Sequence, residues 1–317
     1  MKNRESQEIS LDEMREAINR SGYLIEQRTK TVLEKQAYYV ETNRSYPDLE
    51  TGKSREFDIF GTKLIRAFRG EPGALASIVI CECVNNSQPA VFIGSDPPFT
   101  LMFHEQVKTS GIPVVVWDHG GYLSLVDFFR FETLFHQCKS PLAKQYCSFS
   151  RNKDGGWLAK HPDEQHESFA GLVAAVDSAI CEHYENLEPP RPGETVAVNL
   201  QIYYPLLVLG GDLYTARQTR HGLNLRPTNH VQYLRQFWSG GHPKACQIDV
   251  IQESYLRAYL KLVDTEIQKL RRRLARRREV LTVSMDRLVA EYRGNSAKRV
   301  SWREILQGGG PQERPHS

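Results

Sequence analysis

The pattern of apolar and polar positions in the first hundred residues predicts two helices followed by four strands. Residues 11–36 carry apolar side chains at near-helical spacing, with an interruption at Ser21-Gly22 that separates two helices. Residues 37–46 and 55–68 are rich in strand-forming residues around a turn-like segment, which predicts a β-hairpin. The run ASIVICECV (76–84) is typical of a central strand covered on both faces, and PAVFIG (89–94) predicts one more strand.

Beyond residue 95 the pattern is less regular. It predicts a strand at 112–117, an aromatic core segment at 122–135 and a helix at 168–184, followed by a Pro-rich linker at 187–194. Residues 195–217 predict two strands joined in a hairpin at Gly210-Gly211, and KACQIDVI (244–251) predicts another strand. From Leu256 to about residue 292, apolar positions alternate at spacings of four and three, which predicts one long helix.

Composition adds two expectations. The chain has 317 residues, is 40% hydrophobic and 25% charged, and begins with a polar segment, so we expect a cytoplasmic protein that is neither secreted nor membrane-spanning. Its six cysteines include no CxxC pair, which favours reduced thiols over a disulfide framework or a zinc knot. The formal net charge of +3 is unevenly distributed, because residues 254–293 hold eleven Lys or Arg against five Asp or Glu.

Three acids occur in an order that suggests metal chemistry. Glu26 lies on a predicted helix, Asp58 on a predicted strand, and Glu82 inside the apolar run ICECV. Burying a lone carboxylate is costly unless it is paired or bound to metal, and converging carboxylates suit Mg²⁺. Taken singly, Asp58 is better explained by a pair with Arg55 or Lys53, and Glu26 by a solvated helix face; only the ordered set of three favours a functional site.

The segments GYLIEQRTKTVLEKQAYYVETNRSYPDLETGKSREFDIFG and IVICECVNNSQPAVFIG together resemble the nuclease core of the PD-(D/E)xK superfamily. By this resemblance Glu26 matches the acid of the first helix, Asp58 the acid of the "PD" strand and Glu82 the acid of the E-x-K strand. The resemblance implies a metal-dependent DNA endonuclease, a hydrolase that binds Mg²⁺ or Mn²⁺ through Asp58 and Glu82. It covers about a third of the chain clearly.

The fold class expected from these features is α/β, with a mixed β-sheet flanked by helices, a restriction-endonuclease-like core, a long insertion and a basic C-terminal helix. The expected organisation is an N-terminal segment (1–14), a domain (15–251) with an insertion (95–195), a basic helical extension (252–306) and a disordered tail (307–317).

One position departs from the superfamily pattern. Val84 stands where E-x-K has its lysine, and valine can neither orient a water nor offset phosphate charge. Lys63 is the nearest replacement in sequence, but strand alternation places it on the opposite face from Asp58 unless a bulge forms near Gly61. Two interpretations stay open: metal-dependent cleavage, or a catalytically degenerate core that binds nucleic acid or oligomerises as a scaffold.

The long basic helix also has two interpretations. Its closely spaced cations can bind DNA phosphates; they are Lys269, Arg271, Arg272, Arg273, Arg276, Arg277 and Arg278. Its apolar stripe through 256–292 can instead pack on the domain, on a partner helix or in a homodimer. The two interpretations are compatible with each other.

Overall fold

The computed structural model describes residues 9–48, 52–69, 73–94, 107–113, 115–118, 120–160, 163–188, 197–239 and 242–295. The helices are α1 (Leu11–Arg20), α2 (Tyr23–Lys35), α3 (Leu125–Phe128), α4 (Asp163–Glu185), α5 (Leu256–Arg276) and α6 (Arg278–Asn295). The strands are β1 (Tyr39–Pro47), β2 (Ser54–Arg66), β3 (Gly73–Val84), β4 (Ala90–Ile93), β5 (Lys108–Ile112), β6 (Val115–Asp118), β7 (Gly121–Ser124), β8 (Leu142–Ala143), β9 (Gln145–Arg151), β10 (Trp157–Lys160), β11 (Val198–Leu209), β12 (Leu213–Thr219), β13 (Gly222–Pro227), β14 (His230–Ser239) and β15 (His242–Gln252).

The two N-terminal helices form as the sequence predicts. Ser10 caps α1 in a capping box, because its hydroxyl accepts the Glu13 N–H while the Glu13 carboxylate accepts the Ser10 N–H. The chain leaves the helical conformation at Ser21, and Gly22 starts α2. The break predicted at Ser21-Gly22 is therefore confirmed.

A mixed sheet of eight strands forms the centre of the molecule, in the order β1-β2-β3-β11-β15-β14-β8, with β5 paired to β11. The predicted hairpin is β1 with β2, and β2 continues antiparallel to β3. The strands β3, β11 and β15 run parallel to one another. The mixed α/β class with a sheet flanked by helices is thus confirmed.

Helices cover both faces of this sheet, and alternate residues of β3 divide between them. Leu75, Val79 and Cys81 pack in one cluster with apolar residues of α2 and α5. Ala76, Ile78 and Ile80 pack in a second cluster with apolar residues of α4. The continuous apolar run of β3 follows from this burial on both sides.

A second sheet corrects the prediction of a hairpin at Gly210-Gly211. It has the order β10-β9-β4-β12-β13, so β12 does not pair with β11 but lies parallel to β4. The two glycines are required by close packing instead. A Cβ on Gly210 would come within 2.5 Å of Ile25 Cδ1, and one on Gly211 would collide with the carbonyl of Asn86.

Within the aromatic segment predicted at 122–135, Phe128, Phe129, Phe131 and Phe135 are buried in the core, and the side chain of Tyr122 lies outside the described part of the structure. The strand predicted at 112–117 is instead interrupted. β5 ends at Ile112 in the main sheet, a cis peptide bond joins Ile112 to Pro113, and β6 starts at Val115 in a hairpin with β7. None of the described helices is long and apolar enough to cross a membrane.

The long C-terminal helix is two helices, because the chain leaves the helical conformation at Arg277. The apolar stripe of α5 is buried on the main sheet, with Leu260, Val263, Leu270 and Leu274 fully inaccessible. This stripe is therefore occupied within the chain and does not offer the partner or homodimer surface considered from the sequence. Residues 296–306 of the predicted extension and the predicted disordered tail lie outside the described residues.

Candidate functional site

The three acids Glu26, Asp58 and Glu82 come together where β3 ends and α2 begins. The antiparallel register pairs Ile59 with Cys81, and just beyond this pair Asp58 Oδ2 accepts the Cys83 N–H at 2.7 Å. The first turn of α2 lies against the same point, since a Cβ on Gly22 would be 3.5 Å from the Cys83 carbonyl and 3.6 Å from Glu26 Oε1.

The electrostatics of this carboxylate cluster, defined as Glu26, Asp58 and Glu82, show that its members interact. Burial raises the pKa of Glu82 to about 8, and the charges of Asp58 and Glu26 add to that rise. The pKa of Glu26 is raised by burial and by Asp58. Burial also raises the pKa of Asp58, although the Cys83 N–H, which donates to Asp58 Oδ2 at 2.7 Å, favours its charged form.

Tyr46 lies beside the cluster, and the sequence analysis did not select it. Tyr46 donates a hydrogen bond from its hydroxyl to the Gly171 carbonyl on α4, and a Cβ on Gly171 would lie 3.6 Å from Glu82 Oε1. Burial raises the pKa of Tyr46 to about 12, with Arg55 opposing the rise and Glu82 adding to it. Arg55 pairs with Asp48 at 2.6 Å rather than with Asp58.

The structure does not bring Lys63 to the cluster. The pairing of β2 with β3 runs without a break from Ile59 to Arg66, so the bulge needed near Gly61 is absent from this described stretch. Lys63 lies five residues, roughly 16 Å, along the strand from Asp58. Its ammonium group binds both oxygens of Asp264 on α5, at 2.8 and 2.7 Å.

Val84 and its neighbour Asn85 have structural roles at the end of β3. Val84 is half-buried and packs against the second core cluster, and its carbonyl accepts the Gly210 N–H. The Asn85 side chain donates to the carbonyls of Asn19 and Ser21, which fixes the break between α1 and α2. Neither residue supplies the positive charge of the superfamily lysine.

The donor types of the cluster suit a hard divalent cation, because three carboxylates offer the oxygen ligands that Mg²⁺ and Mn²⁺ prefer. The three donors do not all lie within 4.8 Å of one another, a spacing that one other group of described residues does have. Burial first, and then mutual repulsion, raises the pKa values of Glu26 and Glu82, and a bound cation would offset both effects. Asp58 and Glu82 would hold the ion, with Glu26 at its side.

The seven predicted phosphate-binding cations do not form one uniform surface. Arg273 is held by the domain, because it donates to the carbonyls of Phe129 and Arg130 and to Thr133 Oγ1. The guanidinium of Arg277 lies 4.6 Å from the centre of the Phe128 ring, and that of Arg278 lies 5.9 Å from the Phe68 ring. Lys269, Arg272 and Arg276 are exposed and Arg271 is half-buried.

The chain was compared with protein-family models, with curated proteins and with solved structures, and none of the three comparisons found a match.

Proposed function

We propose that the chain is a divalent-metal-dependent phosphodiesterase with a restriction-endonuclease-like core, and that its substrate is DNA. The observation that carries the proposal is the convergence of Glu26, Asp58 and Glu82, three acids that are far apart in sequence and influence one another's pKa. The order of elements supports it, since a helix and two adjacent antiparallel strands supply one acid each, as in the superfamily that these segments resemble.

Each residue has a role in this proposal. Asp58 and Glu82 hold the ion, and Glu26 binds a water or the ion from the start of α2. Bound Mg²⁺ would supply a water activated for attack and would neutralise charge at the phosphate. No basic side chain is assigned to the lysine position, because Arg55 pairs with Asp48 and Lys63 with Asp264, so the bound ion would carry the charge compensation at the phosphate.

The alternative is a degenerate nuclease fold that binds nucleic acid without cutting it. Two observations favour it: Val84 occupies the lysine position, and Lys63 is committed to Asp264. In this case the exposed cations Lys269, Arg272 and Arg276 hold the DNA backbone without reading bases.

Cleavage of supercoiled plasmid and linear duplex with Mg²⁺ or Mn²⁺ separates the two proposals. The phosphodiesterase predicts metal-dependent cutting that falls at least a hundredfold in Asp58→Asn and Glu82→Gln. It also predicts that cutting is retained in Lys63→Ala and in the control Glu56→Gln, an exposed acid on β2.

Contaminating nuclease is excluded when both site variants, purified identically, lose activity. Absence of cutting by the folded wild-type protein, with DNA binding retained, would instead establish the degenerate fold.

A further inference from the structure

A second polar cluster lies on the other side of the main sheet and plays no part in the proposed phosphodiesterase site. It contains His136, from the short helical turn His136–Cys138, with His230 at the start of β14 and Asp249 on β15. Asp249 faces α5, where Tyr259 donates to its Oδ2 at 2.7 Å. Glu82 faces α4, so the sheet lies between Glu82 and Asp249.

The donor atoms of this triad converge as metal ligands do. His136 Nε2 lies 3.1 and 3.0 Å from the two oxygens of Asp249, and His230 Nε2 lies 2.8 Å from Asp249 Oδ1. One donor atom from each of the three residues falls within 4.8 Å of the others. Neighbouring ligands that each lie about 2.1 Å from a transition-metal ion are themselves about 3 Å apart in octahedral geometry.

The outer partners of the triad are those that orient metal ligands. Glu266 Oε1 lies 2.9 Å from His136 Nδ1 and also accepts the His136 backbone N–H at 2.6 Å, which turns Nε2 towards Asp249. A carboxylate behind the second nitrogen of a histidine is the usual support of a metal-bound imidazole. Gln232 adds a bond of 3.3 Å to Asp249 Oδ1.

Charge balance also favours a divalent ion. Asp249 and Glu266 have exposed fractions of 1% and 2%, and their bonding partners among the described residues are imidazole, hydroxyl, amide and backbone groups rather than Lys or Arg. A divalent ion would balance the two buried carboxylates.

One side of the triad is open. His230 is 17% exposed and, with Gln232, lines a cavity of about 560 Å³ between β14 and the β12–β13 hairpin. Arg217, Arg226 and Asn224 line the same cavity, and none of its lining residues is acidic. Three protein ligands beside an open position are typical of metal sites that also bind a small ligand.

We infer that His136, His230 and Asp249 form a binding site for one divalent transition-metal ion of the zinc, cobalt or ferrous type, with an open position towards the cavity. Two imidazole nitrogens select such ions over Mg²⁺, which prefers oxygen ligands. The site is independent of the carboxylate cluster and of any phosphodiesterase activity.

Cobalt titration tests the site. The full-length protein is stripped with a chelator and titrated with Co²⁺ in excess Mg²⁺, while visible d–d absorption and calorimetry report binding. We expect one equivalent of Co²⁺, displaced by Zn²⁺. We expect at least tenfold weaker binding in His230→Gln and in Glu266→Gln, the latter because the partner that supports a ligand is lost.

Two matched variants are expected to bind Co²⁺ as the wild type does: His221→Gln, an exposed histidine on the neighbouring hairpin, and Glu82→Gln in the carboxylate cluster. Far-UV circular dichroism establishes that each variant is folded. If a site variant does not fold, ¹⁵N-histidine NMR of the wild-type protein must show two imidazoles shifted by Zn²⁺. Absence of Co²⁺ binding, or unchanged binding in folded His230→Gln, would overturn the inference.

Discussion

Glu82 and Asp249 are both acids within apolar strands, and their neighbours determine opposite behaviour. Burial alone would raise the pKa of both carboxyl groups. Around Glu82 the further charges are those of Asp58 and Glu26, so its pKa rises to about 8. Around Asp249 the histidines outweigh burial and hold the pKa well below its usual range. A buried acid is therefore a signal of a polar site, and its neighbours indicate whether that site needs a cation.

The raised pKa of Glu82 predicts a pH-dependent stability in the metal-free protein. Between the unfolded pKa near 4.5 and the folded value of about 8, the folded protein retains a proton that the unfolded chain releases. The free energy of unfolding attributable to Glu82 therefore falls as pH rises through this interval and levels off above it. Glu82→Gln removes this loss.

Thermal unfolding in chelator at pH 5, 6.5 and 8 measures the effect. We expect the melting temperature of Glu82→Gln minus that of the wild type to increase as pH rises. The same difference for the exposed control Glu56→Gln should not change with pH. Saturating Mg²⁺ should restore the melting temperature that the wild type loses at pH 8. A difference between wild type and Glu82→Gln that stays constant with pH contradicts the assignment.

Among the individual residues of the site, the sequence predicted only some. It selected Glu26, Asp58 and Glu82 from their order, and it anticipated that strand alternation would turn Lys63 away from Asp58. It missed Tyr46, because the proximity of Tyr46 to Glu82 depends on how α4 packs on the β1–β2 hairpin. It also missed the histidine triad, although Asp249 in QIDVI carries the same signal as Glu82 in ICECV.

Among the elements, α5 was the most ambiguous from its sequence. The spacing of its apolar residues was equally compatible with packing on a partner helix and with packing on its own sheet. The structure shows that they pack on the sheet. The two glycines after β11 were ambiguous in the same way, because close packing and a tight turn both require them.

The burial of α5 predicts a core defect in Leu270→Ala. This change should lower the free energy of unfolding by about 2–5 kcal/mol, because it leaves a cavity under α5. Leu64→Ala, at a largely exposed leucine on β2, should change it by less than about 0.5 kcal/mol. Urea unfolding gives both values. A Leu270→Ala protein of normal stability but altered sedimentation would instead show a partner interface.

Two neighbouring arginines of α5 should have different effects. Arg273→Ala removes bonds to the loop at 129–133 and should destabilise the fold by about 1–2 kcal/mol, with little change in DNA affinity. Arg272→Ala should leave stability unchanged, weaken DNA binding and reduce its salt slope by about 1. Fluorescence anisotropy across a salt series measures the slope, and equal effects of both variants would contradict this division.

At the scale of the whole molecule, the sheet brings distant segments together. β11 lies beside β3 although more than a hundred residues separate them in sequence, and β15 lies beside β11. This parallel pairing has no local signal. It places Glu82 on the face covered by α4 and the histidine triad on the face covered by α5. The sequence indicated the strands themselves but not which strands would be neighbours.

Diffraction from crystals soaked in Mn²⁺, with data collected for anomalous scattering, tests the metal site most directly. We expect an anomalous peak within about 2.3 Å of oxygens of Asp58 and Glu82, and its absence from crystals of Glu82→Gln. A wild-type map with no peak among Glu26, Asp58 and Glu82 at saturating Mn²⁺ would contradict the proposed metal site.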